Sequence, residues 1–382
     1  MWDVAVIGAG LSGIICARGL ASAGYSVCVL DKSRGLGGRM ATRRVGETVR
    51  IDHGLRYWQA KSEGLRSLTK EMVAAGVLKP WQASEYVIQQ AGELIKLARL
   101  EGDSDDGLDD KYVTESGMSE VAKYLLQQTR TDGLPAFERD RNVLTHRRAV
   151  KLRFHSGAWE ITCESGEVVS AKRCAIAIPA EQAADLLRTC LAEDSTDPAL
   201  ESIQEAIQKR LNQLEAVNYF PCITVMAGYK PAHRADMGQD MGQLDPNGWM
   251  VTDCVGTSTD WVGLDSSKRE RGKEGGPIVV IHSKPAFAQR YIDATDIQPA
   301  ASVLLRANAR KLGEWVAQPE WFQIHRWRYA QVETPYPKST LTINDTLACG
   351  GDWCRASDAA DDLSSIDYAY LSGLALAEQL RA

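Results

Sequence analysis

The 382-residue sequence predicts an α/β protein in which a Rossmann-like βαβ unit is interlocked with a second, mixed-sheet domain. Three features carry that expectation. A short apolar run at residues 3–7 leads into Gly8-x-Gly10-x-x-Gly13 and a helical pattern. A second apolar run, residues 26–30, stops at an acid, Asp31. Residues 147–178 then form strands parted by polar turns, where a plain doubly wound chain would continue its βαβ repeat. The length is also great for a single core, so two domains are expected.

Residues 3–7 have the unbroken apolar character of a buried parallel strand. Ile14, Ile15, Ala17 and Leu20 give the next helix its apolar side, and Gly24 ends it. Gly8 permits the tight turn, Gly10 admits a pyrophosphate to the backbone, and Gly13 lets helix and strand pack closely. Leu11 and Ser12 open the helix, whose free N–H groups and positive dipole end suit phosphate oxygens. Asp31, followed by Lys32, stands where ribose hydroxyls would donate to a carboxylate. A glycine turn alone also fits a merely structural βαβ unit. Strand, turn, helix, strand and acid in register point to a bound dinucleotide.

The segment after Asp31 narrows the choice. Gly37-Gly38-Arg39-Met40 pairs glycines, which admit a phosphate to the backbone, with a fixed cationic fork. A basic surface loop is the plainer alternative. The segment resembles the Gly-Gly-Arg stretch after the second strand of flavin amine oxidases. Arg39-Met-Ala-Thr-Arg43-Arg44 and Asp52-His53-Gly54-Leu-Arg56-Tyr57-Trp58 are similar to the renalase branch of those proteins. That resemblance implies FAD as cofactor, with His53 and Gly54 brought to the flavin ring.

The bulk composition excludes other classes. Hydrophobic residues make up 44% and charged residues 25%, ordinary values for a globular chain. A net charge of −6 does not favour nucleic acid or an anionic membrane. Nine cysteines show no CxxC spacing, and their odd number without a signal peptide points to a reducing, cytoplasmic setting. No window approaches the roughly 18 apolar residues of a membrane span. Six scattered histidines support no metal site.

Further along, residues 61–77 read as a helix with Leu65, Leu68, Met72 and Val73 on one face. Residues 85–89 read as a strand, and the acidic stretch 101–110 as a solvated loop. A helix opens at residues 116–118. Residues 148–154, 159–163 and 174–178, parted by turns, read as a three-stranded meander feeding a buried parallel strand. This arrangement is typical of FAD folds of the glutathione-reductase and p-hydroxybenzoate-hydroxylase type, and by that resemblance Val150 meets the adenine through its backbone. Helices are expected at 181–191, 198–217 and 299–316, with strands at 223–229, 249–254, 261–264 and 277–282. The polar stretch 265–276 reads as a mobile loop.

Gln323-Ile-His325-Arg326-Trp327-Arg328 resembles a renalase-branch segment that runs to the flavin, and reads equally as an amphipathic strand. Gly350-Gly351-Asp352 ends a strand, where many FAD enzymes use such an aspartate on the ribityl or pyrophosphate portion. The last helix, residues 366–380, starts near Tyr368 and Ala369 and directs its N-terminus toward the flavin. The amine oxidases commonly carry glycine where Tyr368 stands. They also have a cysteine motif for covalent flavin that Cys354 does not match, so FAD is expected to be noncovalent. The expected cofactor domain comprises residues 1–57, 112–186 and 322–382. Residues 58–111 and 187–321 form the expected substrate domain.

The resemblance implies oxidation of 2- and 6-dihydro isomers of NAD(P) to NAD(P)+, with O2 as acceptor and hydrogen peroxide as product. His53, Arg56, Tyr57 and Trp327 are the candidates for the substrate side of the flavin, through charge, stacking and orientation. Three alternatives stay open: an amine or alkene oxidase, an aromatic hydroxylase, and an FAD-binding scaffold without turnover.

Overall fold

The structure is a computed structural model that describes residues 1–89, 93–97, 111–127, 139–192, 198–237, 244–254, 257–273, 275–360 and 362–381. The acidic stretch 101–110 lies outside the described residues. Two large sheets organise the chain. The first contains eight strands, with Trp2–Ile7 between Val168–Ile176 and Val27–Leu30, both parallel to it. Val143–Leu144 extends one side and the hairpin strands Ala149–His155 and Ala158–Cys163 the other.

Val168–Ile176 is both the last strand of the three-stranded meander and the buried parallel strand. Its first half pairs antiparallel with Ala158–Cys163, and its second half pairs parallel with Leu347–Cys349. One nine-residue strand therefore does both jobs. It is buried from Cys174 to Ile176, where it enters the parallel core. The hairpin before it turns at Ser156 and Gly157, both with positive φ, the geometry a two-residue turn needs to match strand twist.

The second sheet contains seven strands, running Trp321–Thr334, Asn218–Gly228, Ile278–Ser283, Thr259–Leu264, Trp249–Cys254, Ser84–Ile88 and Leu94–Lys96. It is antiparallel except where Trp249–Cys254 meets Ser84–Ile88. Trp321–Thr334 was expected in the cofactor half, yet it pairs along Asn218–Gly228 in this second sheet. Two helices cross the expected boundary in the other direction. Glu63–Ala74 buries Leu65, Leu68 and Met72 in the core on the Val4 and Val6 face of the first sheet. Pro198–Glu215 buries Leu200, Ile203, Ile207 and Leu211 in the core on its other face, with Ala5 and Ile7. Apolar spacing identified both helices but not the sheet that they cover. Val73, expected on the same face, is 37% exposed.

The expected helix over 299–316 is broken at Gly313, φ 111°, into Gln298–Leu312 and a short 3₁₀ turn, Glu314–Ala317. The largest correction concerns residues 265–276. In place of a mobile loop, two 3₁₀ turns occupy Asp265–Lys268 and Glu270–Lys273, and Asp265 to Arg269 are buried. Charge-rich composition signals a solvated loop unless partners of opposite sign meet it, and here they do.

Candidate active site

A cavity of about 1170 Å³ lies between the two sheets, with walls from both. Its first wall is the turn after Trp2–Ile7. Gly8 adopts φ 108° and donates its N–H to the Leu30 carbonyl at 2.7 Å. A Cβ at Gly13 would stand 2.0 Å from the Gly8 carbonyl oxygen, so helix Leu11–Ser22 can start here only with glycine. Gly10 differs: a Cβ there meets nothing within 4 Å. Its missing side chain faces open cavity. The second glycine pair folds onto the first, with the Gly37 N–H donating to the Ala9 carbonyl at 2.8 Å. The two turns form a backbone-walled cradle at a helix N-terminus, which fits a pyrophosphate.

Asp31 lines the cavity while its carboxylate is steadied by backbone. Oδ2 accepts the Ala9 N–H and Oδ1 the Ser33 N–H, each at 2.7 Å. Each oxygen retains a lone pair for a ribose hydroxyl. Lys32, Leu11, Ser12, Gly38, Met40, Gly54, Gly351 and Ala369 also line the cavity. Gly13 and Tyr368 do not line it: Gly13 is packed on Gly8, and Tyr368 carries the Arg355 guanidinium 4.7 Å over its ring. Val150 lies on the rim, 41% exposed, where the strand register shifts between Ala149 and Lys151. That bulge takes Val150 out of the paired ladder.

Arg39 does not stand as an open fork for phosphate. Its Nη1 and Nη2 donate to Asp352 at 2.8 and 2.6 Å, a bidentate pair that ties the Gly37–Met40 segment to the Gly351–Asp352 turn. Partial burial disfavours the Arg39 cation, and Asp352 more than offsets it. Helix Ser365–Gln379 begins at the same end of the cavity, capped by reciprocal hydrogen bonds between Ser364 and Asp367.

The opposite wall is one face of the second sheet. His325, Thr224, His282 and Trp261 are successive cross-strand neighbours there, and Trp327 follows two residues after His325. Residues two apart on a strand share a face, which delivers Trp327 beside His325. Their rings lie 4.4 Å apart, and His53 closes the cluster at 4.9 Å from His325 and 5.2 Å from Trp327. The Trp327 indole N–H donates to the His53 carbonyl at 3.0 Å.

Arg56 is held at three points. Its Nη2 pairs with Asp260, Nε donates to His282 Nδ1 at 3.2 Å, and the guanidinium lies 5.5 Å from the Trp261 ring centre. Tyr57 lines the cavity, with the Lys111 ammonium 5.4 Å from its ring centre.

The imidazoles are kept neutral. Burial, then His325 and Arg43, pull His53 down to about 3, and burial and Arg43 pull His325 down to about 4. Burial, Arg56 and Lys268 hold His282 well below its ordinary value. None of the three exchanges a proton near neutrality, so this wall orients and stacks. His325, His282 and Asp260 were not singled out from sequence as site residues. Residues 278–281 are an unbroken apolar run and residues 323–328 an amphipathic strand pattern, and neither tells which sheet face meets the cavity.

A glycine cradle at a helix N-terminus, an acid after the second strand and a flat-ring wall opposite define a dinucleotide-dependent redox protein. The chain matches the NAD(P)-binding Rossmann-like domain over residues 6–72 and the flavin containing amine oxidoreductase family over residues 85–380. It belongs to the flavin-containing amine oxidoreductase family and is an FAD-dependent oxidoreductase. Similar solved structures include a double mutant of putrescine oxidase (TM-score 0.67, 14% identity, covering 100% of this chain and 99% of that one). Cyclohexylamine oxidase from Brevibacterium oxydans IH-35A is also similar (TM-score 0.66, 13% identity, covering 100% of both chains). Wild-type putrescine oxidase bound to putrescine matches with a TM-score of 0.61 at 15% identity, covering 100% of this chain and 97% of that one. Among the described residues no helix is long and apolar enough to cross a membrane, and no cluster of His, Cys, Asp and Glu is arranged for a metal.

Proposed function

We propose that the chain oxidises 2- and 6-dihydro isomers of NAD(P) to NAD(P)+, with O2 as the final acceptor and hydrogen peroxide as product. The observation that carries this reading is the charge of the cavity wall. Among its lining residues, Lys32, Arg39, Arg56, Arg147, Arg148, Arg326 and Arg328 are cationic, against Asp31, Asp185, Asp260 and Asp352. All four carboxylates are already engaged: Asp31 by backbone N–H groups, Asp185 by Arg188, Asp260 by Arg56 and Asp352 by Arg39. Arg39, Arg56, Arg147 and Arg328 are paired in turn with Asp352, Asp260, Glu167 and Asp293, and Lys32 and Arg326 have no carboxylate partner among the described residues. A diphosphate would meet these two cations, whereas an alkylammonium would find no uncommitted counter-ion.

Bound FAD supplies hydride acceptance, held by Gly8, Gly10, Leu11, Ser12, Asp31, Gly38, Arg39 and Gly351, with Val150 at the adenine end. The chain's own residues do the rest. Trp327 and His53 present flat rings against which a dihydronicotinamide stacks. Arg56, fixed by Asp260 and His282, meets the polar group of that ring. Tyr57 bounds the pocket on the same side. FAD is noncovalent in this reading, because burial raises the Cys354 thiol well above its ordinary range and Cys354 is not among the cavity's lining residues.

The test is anaerobic mixing of the FAD-loaded protein with NADH, with each dihydro isomer, with putrescine and with cyclohexylamine. The expected result is flavin bleaching by the isomers alone, reversed by air. Bleaching by either amine and by no isomer would overturn the proposal.

A further inference from the structure

Four buried charges lie outside the cavity and take no part in the function proposed above. Asp52, Asp265, Lys268 and Arg269 are 1, 0, 1 and 5% exposed. The Lys268 ammonium is 2.8 Å from Asp265 Oδ1 and 3.7 Å from Asp52 Oδ2, held by charge without an aligned hydrogen bond. It also lies 5.2 Å from the Trp81 ring centre. Arg269 reaches Asp265 Oδ2 at 2.8 Å and pairs with Asp52 through its other terminal nitrogen. Two acids and two bases leave the group neutral.

Asp52 divides its bonds between neighbouring segments. Its Oδ1 accepts the Met118 N–H and the Thr42 hydroxyl, each at 2.8 Å. Its Oδ2 takes the two cations, and its backbone N–H donates to the Asp265 carboxylate at 3.3 and 3.4 Å. Burial pushes the Asp52 carboxyl up, but Arg269 and Lys268 outweigh it and hold it below the ordinary range. The next residue, His53, begins the cavity wall, and Leu55 closes the turn by donating its N–H to the Arg39 carbonyl at 2.8 Å.

We propose that Asp265, Lys268 and Arg269 are positioning residues which, through Asp52, set the His53–Gly54 backbone against the bound flavin. This rests on FAD occupying the cavity and does not depend on which substrate is oxidised. Apolar residues of similar shape would pack the space at least as stably, because buried charges lose their solvation. Such packing lacks direction. Ion pairs and hydrogen bonds from three segments fix Asp52 both along and across its strand.

The test uses the full chain loaded with FAD and compares Lys268→Met with the paired variant Asp265→Asn/Lys268→Met. Three quantities are read: flavin stoichiometry, melting temperature, and the visible circular dichroism of the flavin, which reports how backbone surrounds the ring. Lys268→Met leaves Asp265 without one cation and is expected to melt lower. The paired variant removes both charges and is expected to regain most of that loss. Both are expected to retain full flavin yet lose most of the wild-type visible dichroism. Dichroism unchanged in both variants would overturn the proposal, as would dichroism that recovers together with the melting temperature. Loss of flavin or of the fold in both would equally overturn it, since the group would then be a structural element only.

Discussion

Acidification from pH 7 to pH 5 should destabilise this protein through its buried imidazoles, before its carboxylates titrate. A histidine held neutral in the folded state stabilises it above the unfolded value of 6.5, and that contribution is lost as pH falls toward the folded value. For His53 the folded value is about 3, so at pH 5 the folded ring is neutral while the unfolded ring is protonated. The lost stability is about 2 kcal/mol for His53 between pH 7 and pH 5, at 1.36 kcal/mol per unit of pKa difference. His282, held well below its ordinary value, adds a loss of the same sign, as does His325, whose folded value of about 4 also lies below this window. Asp3 and Asp52 are shifted below 3.8, so their losses begin only below about pH 4. The assay is urea unfolding at pH 7, 6 and 5 with saturating FAD, followed by tryptophan fluorescence. The expected slope is positive throughout, and His53→Gln should flatten it by roughly 2 kcal/mol across the window. Stability that stays level from pH 7 to pH 5 would refute neutral burial of these rings.

Gly13→Val should abolish FAD retention, because even its Cβ would stand 2.0 Å from the Gly8 carbonyl; purified protein that stays fully yellow would contradict this. Asp352→Ala removes a bidentate partner from an Arg39 side chain that is 36% exposed, so the loss should be about 1–3 kcal/mol, measured by chemical unfolding and FAD titration. Trp327→Phe keeps a flat ring but removes the indole donor to the His53 carbonyl, and should cost about 1 kcal/mol of stability in the same unfolding assay. Gly54→Ala brings a Cβ within 2.1 Å of the Arg39 carbonyl and should weaken FAD binding while Gly10→Ala leaves the fold intact, both read by titration and melting.

The parts of the site that were legible in sequence are local ones. Gly8, Gly10, Gly13 and Asp31 lie within one βαβ unit, so their spacing alone brings them to one end of the parallel strands. Gly37 to Met40 follow within ten residues and fold back onto the same turn. The substrate wall was less legible, because it is built across strands far apart in the chain. Trp327 was put forward as a site residue, while His325, quoted only as part of the same segment, and His282 across the sheet were not. Residues 265–269 were misread outright: a run of acids and bases is solvated unless a distant segment supplies the opposite charge, and only the fold brings Asp52 there.

Sequence by itself determined the class of cofactor, the βαβ unit and the apolar faces of the helices, because each depends on contacts or periodicities within a few turns of chain. Tertiary structure alone decided which sheet each helix covers, that Arg39 is spent on Asp352, and that three imidazoles stand neutral in one wall. Those outcomes depend on burial and on charges brought together across hundreds of residues, which no local spacing encodes.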